Sequence, residues 1–293
     1  MKKDFPKIAL GTWLMGGTRD PDPNNDDEAD IQKILLAVKS GVKLIDTAQN
    51  YAGGKCEQLV GEALKMLEPE ERKEIKILTK HSRAKINSEE EVAEEIEMSM
   101  RRLGVDSIDY YLLHAPAEDG NKTKLKHFFN VVDRLVDRGI IKNIGVSNFS
   151  IEFIEYAKTL TKYPISVNQG SLNIVNRLAV ENGLLDFCNN NGVAYQAYRP
   201  IASILDDVMK NPFINSIADK YGVTPAQIAI AYLINKGSTI TISASSAEHW
   251  AQIFAAEKIK LSDEDIIYLE DNIKSQPNPR PEYDSFLTMK LED

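Results

Sequence analysis

Short apolar runs rich in β-branched residues alternate along this chain with longer stretches whose apolar positions recur every three or four residues. KIALGT (7–12) reads as a strand and EADIQKILLAVKSG (28–41) as a helix closing on Gly41. VKLIDTA (42–48) and CEQLVGEALKML (56–67) repeat the pair. IKILTK (75–80) is followed by SEEEVAEEIEMSMRRLG (88–104), with Ser88 as N-cap and Gly104 as the stop. IDYYLLH (108–114) leads to KLKHFFNVVDRLVDRG (124–139), and IKNIGVSN (141–148) to IEFIEYAKTL (151–160). ISVNQG (165–170) and VAYQAY (193–198) are strands, with ENGLLDFCNNN (181–191) helical between them. Thr224 and Pro225 open the helix PAQIAIAYLINKG (225–237), STITIS (238–243) is the eighth strand, and AEHWAQIFAAEKI (247–259) follows it.

Strand–helix alternation at this spacing means βαβ units and parallel pairing. Eight units predict a single-domain (β/α)8 TIM barrel spanning 1–293, with 276–293 as a C-terminal rim loop or tail. The Pro-rich, polar stretch SQPNPRPEYDSF reads as a loop rather than a helix. An open doubly wound sheet is the alternative. Against it, GTWLMGG after the first strand does not lead into a helix; the loop TRDPDPNNDDEAD intervenes.

Position along the units matters more than any single motif. The second strand ends on Asp46, the third on Lys80, the fourth on His114 and the fifth near Asn148, each 34 residues after the last. In a barrel these C-terminal strand ends share one mouth, where barrel enzymes place their chemistry. Tyr51, on the loop after the second strand, can lean over that mouth.

Composition narrows the partners. A net charge of −9 over 293 residues argues against a nucleic-acid surface and against an anionic membrane. No uninterrupted apolar window is long enough for a membrane span, and the N-terminus has no secretory-type apolar region. Cys56 and Cys188 are the only cysteines, which fits a reduced cytoplasmic compartment. The four histidines show no metal-ligand spacing, and no metal site is expected. The sequence carries no signal for an oligomeric state.

Taken alone, Asp46, Tyr51, Lys80 and His114 each read as ordinary turn, rim or cap residues. Together they supply a carboxylate, a phenol, an ammonium and an imidazole at one end of consecutive units. That set suits proton donation to an oxygen. A free phenol titrates near ~10, too high for an efficient acid at neutral pH, and a nearby ammonium lowers it. Tyr51 is therefore the candidate general acid, Lys80 its tuner, Asp46 the holder of Lys80, and His114 the group that orients a carbonyl. A second polar set, Ser147, Asn148 and Gln169 with the ring of Tyr198, suits a flat ligand bearing an amide.

These residues resemble the aldo-keto reductase family, from LGTW through the eighth strand. LIDTAQNYAGGKCEQLVGEAL, with Glu57, is similar to the family's most specific signature, and ILTKH, YYLLHAP and IIKNIGVSNFS to its other strand-end motifs. The resemblance implies a (β/α)8 barrel and NAD(P)H-dependent reduction of aldehydes or ketones, or the reverse, with Asp46, Tyr51, Lys80 and His114 as the catalytic tetrad. It implies nicotinamide contacts at Gly11, Thr12, Asp46, Ser147, Asn148, Gln169 and Tyr198, and contacts toward the phosphates at Ser243 and Ser245; Arg199 is a departure, standing where a serine commonly follows the stacking tyrosine, and is a candidate contact of this chain's own. NADP is usual in the family, but the residues that would hold its 2′-phosphate are replaced here. Ser245 fits the family's serine, while Ala244, Trp250 and Phe254 stand at its lysine, arginine and asparagine positions. Either NADH is accepted, or charge comes from His249, Lys258 or Arg199. Arg199 has two readings, a pyrophosphate ligand or a solvent-facing charge. Trp250 also has two, packing on adenine or in the core.

Three function classes follow: a reductase of small-molecule carbonyls, a non-catalytic nicotinamide-nucleotide-binding regulatory subunit on the same barrel, or a barrel lyase or isomerase without nicotinamide. Trp13, Tyr51 and His114 are the candidate substrate pocket, walled by APAEDGNKTK (115–124) and the tail. The tail lacks an obvious apolar clamp, which points to small or polar carbonyls.

Overall fold

Neighbouring side chains on a strand point to opposite faces, and the apolar runs use that alternation to build two layers. The computed structural model describes residues 5–117, 120–201 and 205–291. Its strands are β1 (Ile8–Gly11), β2 (Leu44–Asp46), β3 (Lys76–His81), β4 (Tyr110–Leu113), β5 (Ile144–Ser147), β6 (Ile165–Ser171), β7 (Ala194–Tyr198) and β8 (Thr239–Ile242). All pair in parallel with their chain neighbours, and β8 pairs back to β1, closing the barrel. Ala9, Leu44, Leu78, Leu112, Val167 and Ala194 form an inner cluster with Phe5 and Tyr110, whose rings meet edge-on at 5.0 Å. Ile8, Leu10, Ile45, Ile77, Tyr111 and Leu113 belong instead to the larger cluster shared with the helices.

The inner face changes character one pleat toward the mouth. Two residues beyond Leu44, Leu78, Leu112, Val167 and Ala194 stand Asp46, Lys80, His114, Gln169 and Gln196. Apolar floor and polar mouth are thus consecutive layers of one alternation. The 34-residue cadence also has an earlier member: the Thr12 N–H, just past β1, donates to the Asp46 carbonyl at 3.0 Å.

The helices are α1 (Asp27–Lys39), α2 (Lys55–Lys65), α3 (Pro69–Glu74), α4 (Glu89–Leu103), α5 (Lys122–Asp137), α6 (Ile151–Leu160), α7 (Leu178–Glu181), α8 (Leu184–Asn190), α9 (Leu205–Lys210), α10 (Pro212–Tyr221), α11 (Pro225–Asn235), α12 (Ala247–Ala256), α13 (Asp263–Asn272) and α14 (Pro281–Thr288). Ser88 caps α4, Gly104 ends it in a left-handed conformation, and Thr224 with Gln227 forms a capping box on α11. The stretch 181–191 is not one helix: α7 stops at Asn182 and Gly183, and α8 restarts beyond the left-handed Gly183. None of the described helices is long and apolar enough to cross a membrane.

The tail departs from the loop expected of 276–293. Its last proline, Pro281, sits in the first turn of α14, where a missing N–H breaks no helical bond. Asp284 then accepts the Asn278 N–H at 2.7 Å, and Leu287 is buried. Pro277 and Pro279 precede this helix and Pro281 opens it, so none of them interrupts it.

Candidate active site

Three strands, β2, β3 and β6, deliver one hydrogen-bonded network to the mouth. Lys80, fully buried on β3, donates to Asp46 Oδ1 at 2.5 Å and to the Thr47 carbonyl at 2.8 Å. The other Asp46 oxygen, Oδ2, accepts from Gln169 Nε2 at 2.8 Å. The third Lys80 contact is the Tyr51 hydroxyl, at 3.4 Å. Tyr51 stands on a 3₁₀ turn (Tyr51–Gly54) whose Ala52 and Gly53 have positive φ. The Ala52 and Gly53 N–H groups donate to the carbonyls of Thr18 and Arg19, so the loop after β1 holds the turn in place. The Tyr51 ring meets Trp13 edge-on at 4.8 Å and His114 at 5.6 Å. The tetrad expected from the sequence is therefore assembled in one place, with Trp13 beside it.

Behind the tetrad, Glu57 on α2 is fully buried, accepting from Thr79 Oγ1 at 2.7 Å and from Arg102 Nε at 2.8 Å. It ties α2 to β3 and α4. The two helices approach so closely that a Cβ on Gly61 would lie 2.4 Å from the Arg102 carbonyl oxygen.

The electrostatics correct one expectation. Burial pushes the Tyr51 phenol up to about 12; the Lys80 charge pulls it down, and Asp46 pushes it up further. The ammonium lowers the phenol as expected, but desolvation outweighs it. Burial opposes the Lys80 charge too, yet Asp46 and then Tyr51 hold its pKa above the ordinary lysine value. His114 is driven well below the usual imidazole range by burial, with Lys80 and Arg83 adding to it. At neutral pH the site presents a phenol, an ammonium and a neutral imidazole. His114 Nδ1 is buried without a hydrogen-bond partner among the described residues.

The second polar set expected from the sequence forms beside the tetrad. Asn148, held at φ 61°, donates from Nδ2 to the His114 carbonyl at 3.0 Å and to Ser147 Oγ at 3.1 Å. Its Oδ1 accepts from the Tyr198 hydroxyl at 2.8 Å. Gln169 donates from Nε2 to Gln196 Oε1 at 2.7 Å as well as to Asp46. Both Thr12 donors, N and Oγ1, go to the Asp46 carbonyl, so Thr12 clasps β1 to β2. A Cβ on Gly11 would lie 2.9 Å from Thr241 Oγ1, so glycine is what lets β1 and β8 close there.

The residues expected toward the phosphates lie at the adjacent ends of β7 and β8 and on α12. Ser243, Ser245 and His249 are exposed, and Ser246 caps α12 by accepting the His249 N–H at 3.1 Å. Trp250 is fully buried with its ring 6.2 Å from Phe254, which decides for the core over adenine. Lys258 lies beyond the far end of α12, about 15 Å along the helix from its first turn. Arg199, at φ 53°, extends over the Tyr283 ring of α14 at 5.6 Å. Among the described residues, no group of three or more His, Cys, Asp or Glu side chains could hold a metal.

The tail supplies more aromatic surface than its sequence suggested. Tyr283 meets Tyr198 edge-on at 5.4 Å, and the Arg83 guanidinium lies over Phe286 at 4.9 Å. Glu118 and Asp119, in the wall expected from 115–124, lie outside the described residues. Gln196 was missed by the sequence reading. The signal was available: it stands two residues before Tyr198 on the same strand face.

Residues 7–274 match the family model for the Aldo/keto reductase family, and the chain belongs to that family. It is 26% identical over 315 residues to the NADH-specific methylglyoxal reductase of Escherichia coli K12, covering 90% of this chain and 94% of that protein. Its structure is similar to a thermostable aldo-keto reductase in complex with the inhibitor epalrestat, with TM-score 0.82 and 31% identity, covering 91% of this chain and 95% of that one. It is also similar to an aldo-keto reductase from Klebsiella pneumoniae in complex with NADPH, with TM-score 0.79 and 28% identity, over 98% and 95% of the two chains.

Proposed function

We propose that this protein reduces small carbonyl compounds to alcohols with a nicotinamide dinucleotide, and that Tyr51 is the proton donor. The observation that carries the reading is the Tyr51 hydroxyl 3.4 Å from a buried ammonium that is itself locked to Asp46. The residues suit a nicotinamide. Ser147, Asn148 and Gln169 stand on adjacent strand ends, and both N–H bonds of the Gln169 amide are taken. Its carbonyl oxygen is then the group that faces a carboxamide. Tyr198 offers a flat ring beside them. When bound, the reduced nicotinamide supplies a hydride to the carbonyl carbon.

The protein's own groups handle the oxygen. Neutral His114 donates a hydrogen bond to the carbonyl oxygen and orients it. Tyr51 passes its proton to that oxygen, and the phenolate left behind is stabilised by Lys80, which Asp46 keeps charged. Because burial holds the phenol at about 12, Tyr51 is protonated throughout the neutral range, the form that reduction requires. Trp13, Tyr283 and Phe286 narrow the mouth, in keeping with small substrates; relatives include methylglyoxal reductases.

For the cofactor we favour NADH at least as much as NADPH. Ala244 and the buried Trp250 leave the start of α12 without a cation, and Glu248 adds an exposed carboxylate in its first turn. The test is NAD(P)H oxidation against a panel of small aldehydes and ketones, with both dinucleotides titrated separately. Tight binding of dinucleotide with no turnover would replace the catalytic reading with a regulatory one. A preference for NADPH of ~100-fold, about 2.7 kcal/mol, would overturn the cofactor reading.

A further inference from the structure

Asp46 and Gln169 stand on β2 and β6, four places apart in a ring of eight, so their 2.8 Å bond crosses the barrel. A carboxylate only accepts, so Gln169 must turn its NH2 toward Asp46. The second hydrogen of that NH2 goes to Gln196 Oε1, and Gln196 is paired with Gln169 in the β6–β7 register. Each orientation dictates the next, and the sequence ends badly: Gln196 is fully buried, and its own Nε2 has no partner among the described residues. An apolar side chain would remove that unpaired amide donor, but it would strand the second N–H of Gln169, which has only the Gln196 oxygen to bind. Retaining glutamine there makes sense if its carbonyl oxygen is needed.

Resting on the reading that the tetrad is catalytic, we infer that Gln196 is a positioning residue: its carbonyl oxygen locks the Gln169 amide so that Asp46 stays aligned on Lys80. Among the described residues its side chain bonds Gln169, and it acts through Gln169 and Asp46. The charged and titratable groups around Lys80 are Asp46, Tyr51, Cys56 and His114, with Arg83 acting on His114. If Asp46 loses its clamp, the ammonium loses part of what keeps it charged, and the alkaline limb of the rate profile moves to lower pH.

The experiment compares Gln196→Met, which removes the acceptor at similar volume, with Gln196→Glu, which keeps an oxygen at the same reach. The expected result is a kcat of Gln196→Met reduced about tenfold, with KM for the carbonyl unchanged, an alkaline limb at lower pH and only a modest loss of thermal stability from the stranded Gln169 N–H. Gln196→Glu recovers both kcat and the limb. A crystal structure of Gln196→Met shows Gln169 off Asp46. Wild-type kcat and pH profile in Gln196→Met, equal losses in both variants, or a Gln196→Met protein that cannot fold each overturn the inference. If the parent protein turns over no carbonyl, the catalytic reading fails, and the crystal structure decides the positioning claim alone: Gln169 still on Asp46 sinks it.

Discussion

The mouth of this barrel has two unlike sides. Around β2, β3 and β6 the groups are buried and bonded to one another: Lys80 binds Asp46, Thr47 and Tyr51, and Asp46 binds Gln169. Around the start of α12, Ser243, Ser245, Glu248 and His249 are exposed. Buried charges must be paired with good geometry or they destabilise the fold, whereas exposed ones interact weakly and are screened. The first side is therefore intolerant of change, and the second is free to vary. That contrast fits a chain that keeps all four residues expected of a tetrad while Ala244, Trp250 and Phe254 depart from the pattern expected around α12.

The sharpest test is Tyr51→Phe. It should lower kcat/KM by about 10²–10⁴-fold and leave dinucleotide affinity nearly unchanged; robust turnover would remove Tyr51 from its role. Lys80→Met probes the same side through stability. It strands Asp46 as a buried charge, and the expected loss is about 3–5 kcal/mol in denaturant unfolding. An equally stable Lys80→Met protein would mean that the two sides do not differ as described.

The next effect is on acidification. His81 bonds Tyr111 and the Lys85 carbonyl in the β3 wall, and burial holds its pKa at about 4 against an ordinary 6.5. Between those values the unfolded chain binds a proton that the folded one refuses. Stability is then full above pH 6.5 and falls by about 3 kcal/mol as the pH approaches 4. Denaturant midpoints across that range should show the slope, and His81→Gln should flatten it. Gly61→Ala should cost about 1–3 kcal/mol, because α2 and α4 must part to admit a methyl. Smallest of all, His249→Ala should change stability and dinucleotide affinity by less than about 1 kcal/mol. A large loss there would mean that the exposed side is held by its contacts just as the buried side is.

The strand ends were legible because strand parity and the 34-residue cadence both survive in one dimension. Asp46, Lys80 and His114 announced themselves by position, and Ser88, Gly104 and Thr224 by capping chemistry. The sign of the Tyr51 shift was not legible, because it is set by burial that no local pattern encodes. The place of Gln196 on the inner face was legible from strand parity, but its bond to Gln169 was not, because that depends on what lies beside it in the barrel. The tail helix was obscured by its prolines, whose meaning depends on whether they precede or interrupt a turn. The two readings of Trp250 could be separated only by seeing which face of α12 is covered.

The chain's two tryptophans fall on either side of this divide. Trp13 is half-exposed against Tyr51 at the mouth, and Trp250 is sealed in the core behind α12. Reduced nicotinamide absorbs where tryptophan emits, so a ring seated beside Tyr51 quenches Trp13 directly, while Trp250 responds to changes around α12. With each tryptophan replaced in turn by phenylalanine, the protein would carry a single optical gauge, at the mouth or behind α12, for following the addition of a dinucleotide.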